Sequence, residues 1–128
     1  MAGMTIFDAS ILIAHLSSSD PHSADARKIV SSPGRRAAST LTLAETLAYP
    51  ASKGRLTEAQ HDLRLLEIDE VAIRPGAGPQ LARLRAETGL PLPDCCALHA
   101  AESTGADAIA TRDSRLREVA AARGYETP

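Results

Sequence analysis

Aromatic residues are nearly missing from this chain: Phe7, Tyr49 and Tyr125 are the whole set, and there is no tryptophan. Modules that stack RNA bases on aromatic platforms are thereby disfavoured, so any nucleic acid handled here is expected to be held through its phosphates. Cysteine is scarce as well. Cys95 and Cys96 are neighbours and make no disulfide framework, which leaves a reducing cytosol as the expected compartment. No apolar run is long enough to span a bilayer, so no membrane association is expected. The start of the chain has no basic stretch and meets an acid at Asp8, which argues against an ordinary signal peptide. An excess of one charge is lacking too, with 14 Lys and Arg against 16 Asp and Glu. A strongly cationic nucleic-acid binder is therefore excluded. All but two of those cations are arginine; in so alanine-rich a chain this reads better as GC-rich codon usage than as a phosphate-binding signal.

What remains is ordinary for a folded protein. At 128 residues, 44% hydrophobic and 23% charged, the chain supports one domain, residues 1–128, with its own core. Met4-Thr5-Ile6-Phe7 reads as a strand that stops at Asp8. Ile11, Leu12, His15 and Leu16 follow helical spacing, and a polar run covers Ser17 to Asp20. Pro21 is expected to open a helix through about Val30, which Ser31-Ser32-Pro33-Gly34 breaks. A weak strand, Arg36 to Ser39, leads into an apolar helix from Thr40 or Thr42 to Tyr49-Pro50. A helix capped by Thr57-Glu58, a strand from Ile68 to Ile73 and a turn from Pro75 to Pro79 follow. The next helix reaches Thr88-Gly89. Leu90-Pro91-Leu92-Pro93 reads as an elbow before a helix from Asp94 to Ser103. Gly105 caps that helix, Ala106 to Ala110 is a strand, and Asp113 starts a last helix that fades near Gly124. Strands alternating with helices at this length predict a parallel α/β sheet wrapped by helices.

In such a sheet the chemistry gathers outside the carboxyl ends of the strands. Asp8 ends the first strand, Asp113 follows the last, and Asp94 opens the helix after the elbow. Each alone reads as an N-cap. Glu45 does not. It is the only charge between Leu41 and Tyr49, a stretch that otherwise reads as buried, and no Lys or Arg lies within one turn. A buried lone carboxylate is costly unless a cation or metal pairs with it. The alternatives are an exposed edge and a long-range metal site, and the second is preferred. Carboxylates without cysteine or histidine make a hard-oxygen site, which selects Mg²⁺ or Mn²⁺ over zinc and suits metal-assisted phosphodiester hydrolysis.

These residues carry a resemblance. Ile6-Phe7-Asp8-Ala9-Ser10, then Leu43-Ala44-Glu45-Thr46, then Leu92-Pro93-Asp94-Cys95-Cys96-Ala97-Leu98, then Ala110-Thr111-Arg112-Asp113 stand in an order that resembles the PIN domain. Within that family it resembles the VapC-type ribonuclease toxins of bacterial toxin–antitoxin pairs, over nearly the whole chain. The resemblance implies a PIN-like three-layer α/β sandwich with four or five parallel strands flanked by helices. It implies that Asp8, Glu45, Asp94 and Asp113 converge on Mg²⁺ or Mn²⁺ as the catalytic set, with Ser10 and Thr111 orienting carboxylates or water. It further implies endonucleolytic cleavage of RNA, a homodimer, and inhibition by a cognate antitoxin. Many relatives carry an extra acid and an aromatic after the fourth aspartate. Ser114, Arg115 and Leu116 stand there in this chain, which counts against a second metal.

Other residues rank lower. His15, His22, His61 and His99 have no metal-ligand spacing and read as structural or surface groups. Cys95 and Cys96 read as small packing groups, and Asp20, Asp25, Asp62 and Asp107 as caps or solvated faces. Arg112 and Arg115 flank the fourth acid and are candidate RNA contacts or surface decoration. Leu12, Leu16, Ile29 and Val30 are expected to leave a groove suited to an amphipathic antitoxin helix. A catalytically inactive PIN-like binding or scaffold module is the alternative function, against which all four acids count. A haloacid-dehalogenase phosphatase would need an aspartate where Ser10 stands, and a receiver domain would need a late lysine.

Overall fold

Four short strands and seven helices alternate along residues 3–17 and 19–128, the part of the chain that the computed structural model describes. Ser18, within the polar run expected from Ser17 to Asp20, lies outside the described residues, as do Met1 and Ala2 at the start. In chain order the elements are β1 (Met4–Phe7), α1 (Ala9–Leu16), α2 (Ser23–Val30), β2 (Arg35–Ser39), α3 (Thr40–Ser52) and α4 (Leu56–Leu65). They continue with β3 (Ile68–Val71), α5 (Ala77–Thr88), α6 (Leu92–Thr104), β4 (Ala108–Ala110) and α7 (Ser114–Ala122). All strands pair in parallel, in the order β3-β2-β1-β4. The sheet therefore grows from β1 toward β2 and β3, then reverses to place β4 on the other side of β1. That reversal puts a crevice at the carboxyl ends of β1 and β4.

Side-chain alternation along the strands splits the core into two layers. Ile6, Ala37 and Ile109 face Leu84, Leu90, Cys95, Leu98 and Leu116 on one side. Phe7, Ala38 and Ala110 face Ile11, Leu12, Ala26, Val30 and Leu63 on the other. The three-layer α/β arrangement expected from the sequence is thus present, with four strands. A fifth position is only hinted at by an isolated bridge, where Ile109 N–H donates to the Glu126 carbonyl at 2.9 Å and covers the β4 edge.

Several boundaries differ from the sequence reading, and proline explains most of them. Pro79 lies in the first turn of α5 and Pro93 in the first turn of α6, where backbone N–H groups have no intrahelical partner and proline removes nothing. The expected turn and elbow are accordingly shorter, and Asp94 sits inside the first turn of its helix rather than at its start. Pro50 does not end α3, which runs on to Ser52. Pro21 precedes α2 instead of opening it, in a turn where Asp20 Oδ1 accepts the His22 N–H at 2.7 Å. The helix expected from Thr57-Glu58 begins one residue earlier, at Leu56, without a side-chain cap. β3 stops at Val71 because its partner β2 ends at Ser39, the residue paired with Val71. Of the four residues expected to line a groove, Leu12 and Val30 are fully buried in the core, while Leu16 and Ile29 are only partly buried at its edge.

Candidate functional site

Asp8 stands where β1 gives way to α1, directly at the crevice. Its extended backbone puts it at the N-cap position, yet its carboxylate makes no capping bond. Oδ2 instead accepts the Ser10 hydroxyl at 3.0 Å and the Thr111 hydroxyl at 2.8 Å. Thr111, fully buried just past β4, also accepts the Asp113 N–H at 3.0 Å, and Ser10 Oγ accepts the Arg112 N–H at 2.9 Å. Each hydroxyl thus donates to Asp8 and accepts from the β4–α7 loop, which ties the two sides of the crevice together. The capping interpretation fails for Asp8 and holds for Asp113, whose Oδ1 accepts Arg115 N–H at 2.9 Å and Leu116 N–H at 3.3 Å.

Asp94 comes from the far wall, in the first turn of α6. Its side chain is buried, and its Oδ2 has no hydrogen-bond partner among the described residues. Burial pushes this carboxyl up to about 6; the charges of Asp8, Asp113 and Glu45 add to the push, and Arg115 opposes it. An orphaned buried carboxylate oxygen is unusual and calls for an explanation.

Glu45 corrects the sequence argument. The stretch from Leu41 to Tyr49 is not uniformly buried: α3 buries Thr42 and Thr46, while Ala44, Glu45, Ala48 and Tyr49 are exposed. Among the described residues Glu45 has no ion-pair partner and lies on an exposed face, the alternative the sequence left available. Its carboxyl is nevertheless raised by partial desolvation and then by the charge of Asp8, which places it in the field of the same cluster.

The four acids therefore surround one region without touching. Among the described residues no three His, Cys, Asp or Glu side chains form a ready-made metal cluster. The donor set still fits a divalent cation: only carboxylate oxygens are offered, one of them buried and unpartnered, and their charges repel one another. Such oxygens suit Mg²⁺ or Mn²⁺.

The flanking arginines differ sharply. Arg112 points its guanidinium at His22 Nδ1, 2.6 Å away, with Asp25 at 3.7 Å. Arg115 reaches back to the Gly89 carbonyl at 3.4 Å. His22 and Asp25 were not singled out for the site by the sequence, and nothing local could have marked them. His99 is hydrogen-bonded to Gln80. Cys95 and Cys96 are buried, and desolvation raises both thiols, in keeping with packing groups. A groove of about 560 Å³ runs between α1, α3 and α4, from Glu45 past Ile13, Leu16, Tyr49 and Lys53. A larger cleft of about 700 Å³ lies over β2 and β3 and contains none of the four acids.

The sequence model of the PIN domain matches residues 5–122. No curated protein sequence matches the chain significantly. Solved structures share its fold. A toxin–antitoxin complex from Klebsiella pneumoniae is 24% identical at a TM-score of 0.70, covering 86% of this chain and 87% of that one. VapC20 of Mycobacterium tuberculosis, described as a sarcin-ricin loop cleaving toxin, is 16% identical at a TM-score of 0.75, covering 94% and 95%. VapBC2 of Rickettsia felis, bound to a DNA fragment from their promoter, is 15% identical at 0.68, covering 98% and 97%.

Proposed function

Because the chain belongs to the PIN domain family, we propose that it is a metal-dependent endoribonuclease, the toxin of a toxin–antitoxin pair. One observation carries this reading most strongly: Asp94 Oδ2 is buried without a partner beside three further carboxylates. Asp8, Asp94, Glu45 and Asp113 would hold Mg²⁺ or Mn²⁺. Bound there, the ion would polarise a phosphate oxygen and make a water molecule acidic enough to attack.

The chain's own groups do the rest. Ser10 and Thr111 fix the Asp8 carboxylate in one orientation. Asp113 is held by capping α7. Asp94 can carry a proton at mildly acidic pH and release it near neutrality, which opens the site to a cation as pH rises. RNA as substrate is supported by the sarcin-ricin loop activity stated for the Mycobacterium tuberculosis toxin.

An antitoxin partner is supported by the complexes among the fold relatives. We place it in the open groove between α1, α3 and α4. Ile13 is 44% exposed there and Tyr49 71%, an apolar strip suited to an amphipathic helix, and Glu45 at its end would receive a cationic side chain. A homodimer and a cytoplasmic setting complete the proposal.

The alternative, an inactive scaffold module, is favoured by the lack of a preassembled cluster among the described residues. Mutual repulsion of four carboxylates accounts for that spacing equally well. Purified protein incubated with single-stranded RNA separates the two. Cleavage is expected with Mg²⁺ or Mn²⁺, and it should cease with a chelator. Asp8→Asn should fold normally, since the amide oxygen can still accept the Ser10 and Thr111 hydroxyls, and should lose cleavage by at least about a hundredfold. An Asp8→Asn protein as active as the parent would remove this residue from the mechanism.

A further inference from the structure

A phosphodiester brought to four carboxylates needs positive charge beyond one divalent ion, and the crevice offers three arginines on one short segment: Arg112, Arg115 and Arg117. Their surroundings divide them. Arg112 is tied to the start of α2, hydrogen-bonded to His22 Nδ1 at 2.6 Å and facing Asp25 at 3.7 Å. Arg117 donates to the Thr111 carbonyl at 2.8 Å, which braces the loop from behind. Among the described residues Arg115 makes one side-chain hydrogen bond, to the Gly89 carbonyl at 3.4 Å. That is the outer limit for such a bond, so leaving it forfeits little.

The placement of Arg115 is as telling as its lack of commitments. Its own N–H is bound to Asp113 Oδ1 at 2.9 Å, so the residue starts from the fourth acid. Its guanidinium reaches to Gly89, at the elbow that leads into α6 and Asp94. The exposed side chain therefore spans the mouth between two of the acids. We propose that Arg115 is the phosphate-receiving residue of the site, donating two parallel N–H groups to the non-bridging oxygens of a nucleic-acid strand. By the same geometry Arg112 is a tether for the β4–α7 loop and not an RNA contact. A planar guanidinium suits this task better than an ammonium, because its fork matches the phosphate oxygens in pairs. The counter-charge that Arg115 already exerts on Asp94 agrees with this position.

The inference rests on the nuclease reading of the same site, so its test includes a readout that does not need cleavage. Binding of a nuclease-resistant 2′-O-methyl single-stranded RNA is measured in Mg²⁺ at several salt concentrations, alongside cleavage of ordinary RNA. Arg115→Ala is expected to weaken binding about tenfold and flatten its salt dependence by roughly one phosphate contact. It should also slow cleavage more than binding alone explains. Arg115→Lys should recover part of the binding. Arg74→Ala, a charge-matched change in the cleft over β2 and β3, should alter neither. The Mg²⁺-induced rise in melting temperature should survive in Arg115→Ala, which shows that the carboxylate site is intact. Equal binding by Arg115→Ala and the parent, or an equal loss in Arg74→Ala, overturns the proposal. Weakened binding without cleavage in the parent would uphold the phosphate contact and overturn the nuclease reading instead.

Discussion

Asp94 and His15 respond to pH in opposite directions, and their signs can be worked out one residue at a time. The Asp94 carboxyl stands at about 6 in the folded chain against an ordinary 3.8, raised first by burial and then by Asp8, Asp113 and Glu45. The folded state therefore binds more protons than the unfolded state. The resulting stability is complete below pH 3.8 and lost as pH rises through about 6. At neutral pH the metal-free protein should be weaker by up to about 3 kcal/mol on this account. His15 is lowered by burial and by Arg27, with Asp62 opposing; its contribution is present above its ordinary 6.5 and lost as pH falls further. Asp94→Asn isolates the first effect. Without metal it should melt higher than the parent at pH 7.5 and equal to it only near pH 3, below the ordinary value of 3.8. A melting temperature that is lower at both values would mean that the orphaned oxygen has a partner in solution.

At the scale of the element, α3 carries two tasks on neighbouring faces. Thr42 and Thr46 hold it against the core, and the Thr46 hydroxyl folds back onto the Thr42 carbonyl at 2.8 Å. The outward face presents Glu45 and, one turn on, Tyr49 with Lys53 over its ring at 5.6 Å. Substitutions on such an exposed strip change stability by only about 0.5 kcal/mol. The double change Ile13→Glu with Tyr49→Ala should leave melting and RNA cleavage unaltered while abolishing co-purification with an antitoxin expressed from the same plasmid. Retained co-purification would move the antitoxin to another surface. Glu45 is exposed, so the desolvation and the Asp8 charge that raise its carboxyl strain the metal-free fold only a little when it is ionised. Glu45→Gln is therefore expected to raise the metal-free melting temperature slightly at neutral pH. Its larger effect belongs to metal binding.

For the whole molecule, the reversal of strand order gathers segments that are far apart in the chain. Asp8 and Thr111, hydrogen-bonded at 2.8 Å, are separated by 103 positions. A cation that binds this assembled site binds only the folded chain. At a hundredfold excess over its Kd it adds about 2.7 kcal/mol. For a chain of this size that corresponds to a melting rise of roughly 10 °C. Differential scanning fluorimetry with Mg²⁺ or Mn²⁺ reads this directly. Glu45→Gln should shrink the rise, and a parent protein indifferent to millimolar amounts of both ions would exclude the hard-oxygen site.

Local order was legible from the chain alone. β1 matched residue for residue, α7 began behind Asp113, and Gly89 and Gly105 ended their helices in the left-handed conformation that glycine tolerates. Those features depend on neighbours within a few positions. The positions of Asp8 behind β1 and of Asp113 between β4 and α7 were equally readable, because alternation and breaks mark where each strand stops. Tertiary structure decided the rest. Asp8 and Asp113 look alike in sequence, each an aspartate between a strand and a helix, yet only Asp113 caps its helix. The difference comes from Thr111, which crosses from the neighbouring strand to claim the Asp8 carboxylate. Glu45 read as buried because its neighbours in sequence are apolar, but exposure depends on what packs over a helix, and Glu45, Ala48 and Tyr49 are exposed on α3. Arg112 and Arg115 were indistinguishable until His22, 90 positions away, took hold of one of them. Propensity and alternation act over a few residues, whereas the freedom of a carboxylate or a guanidinium is set by whichever distant group the fold brings within hydrogen-bond reach.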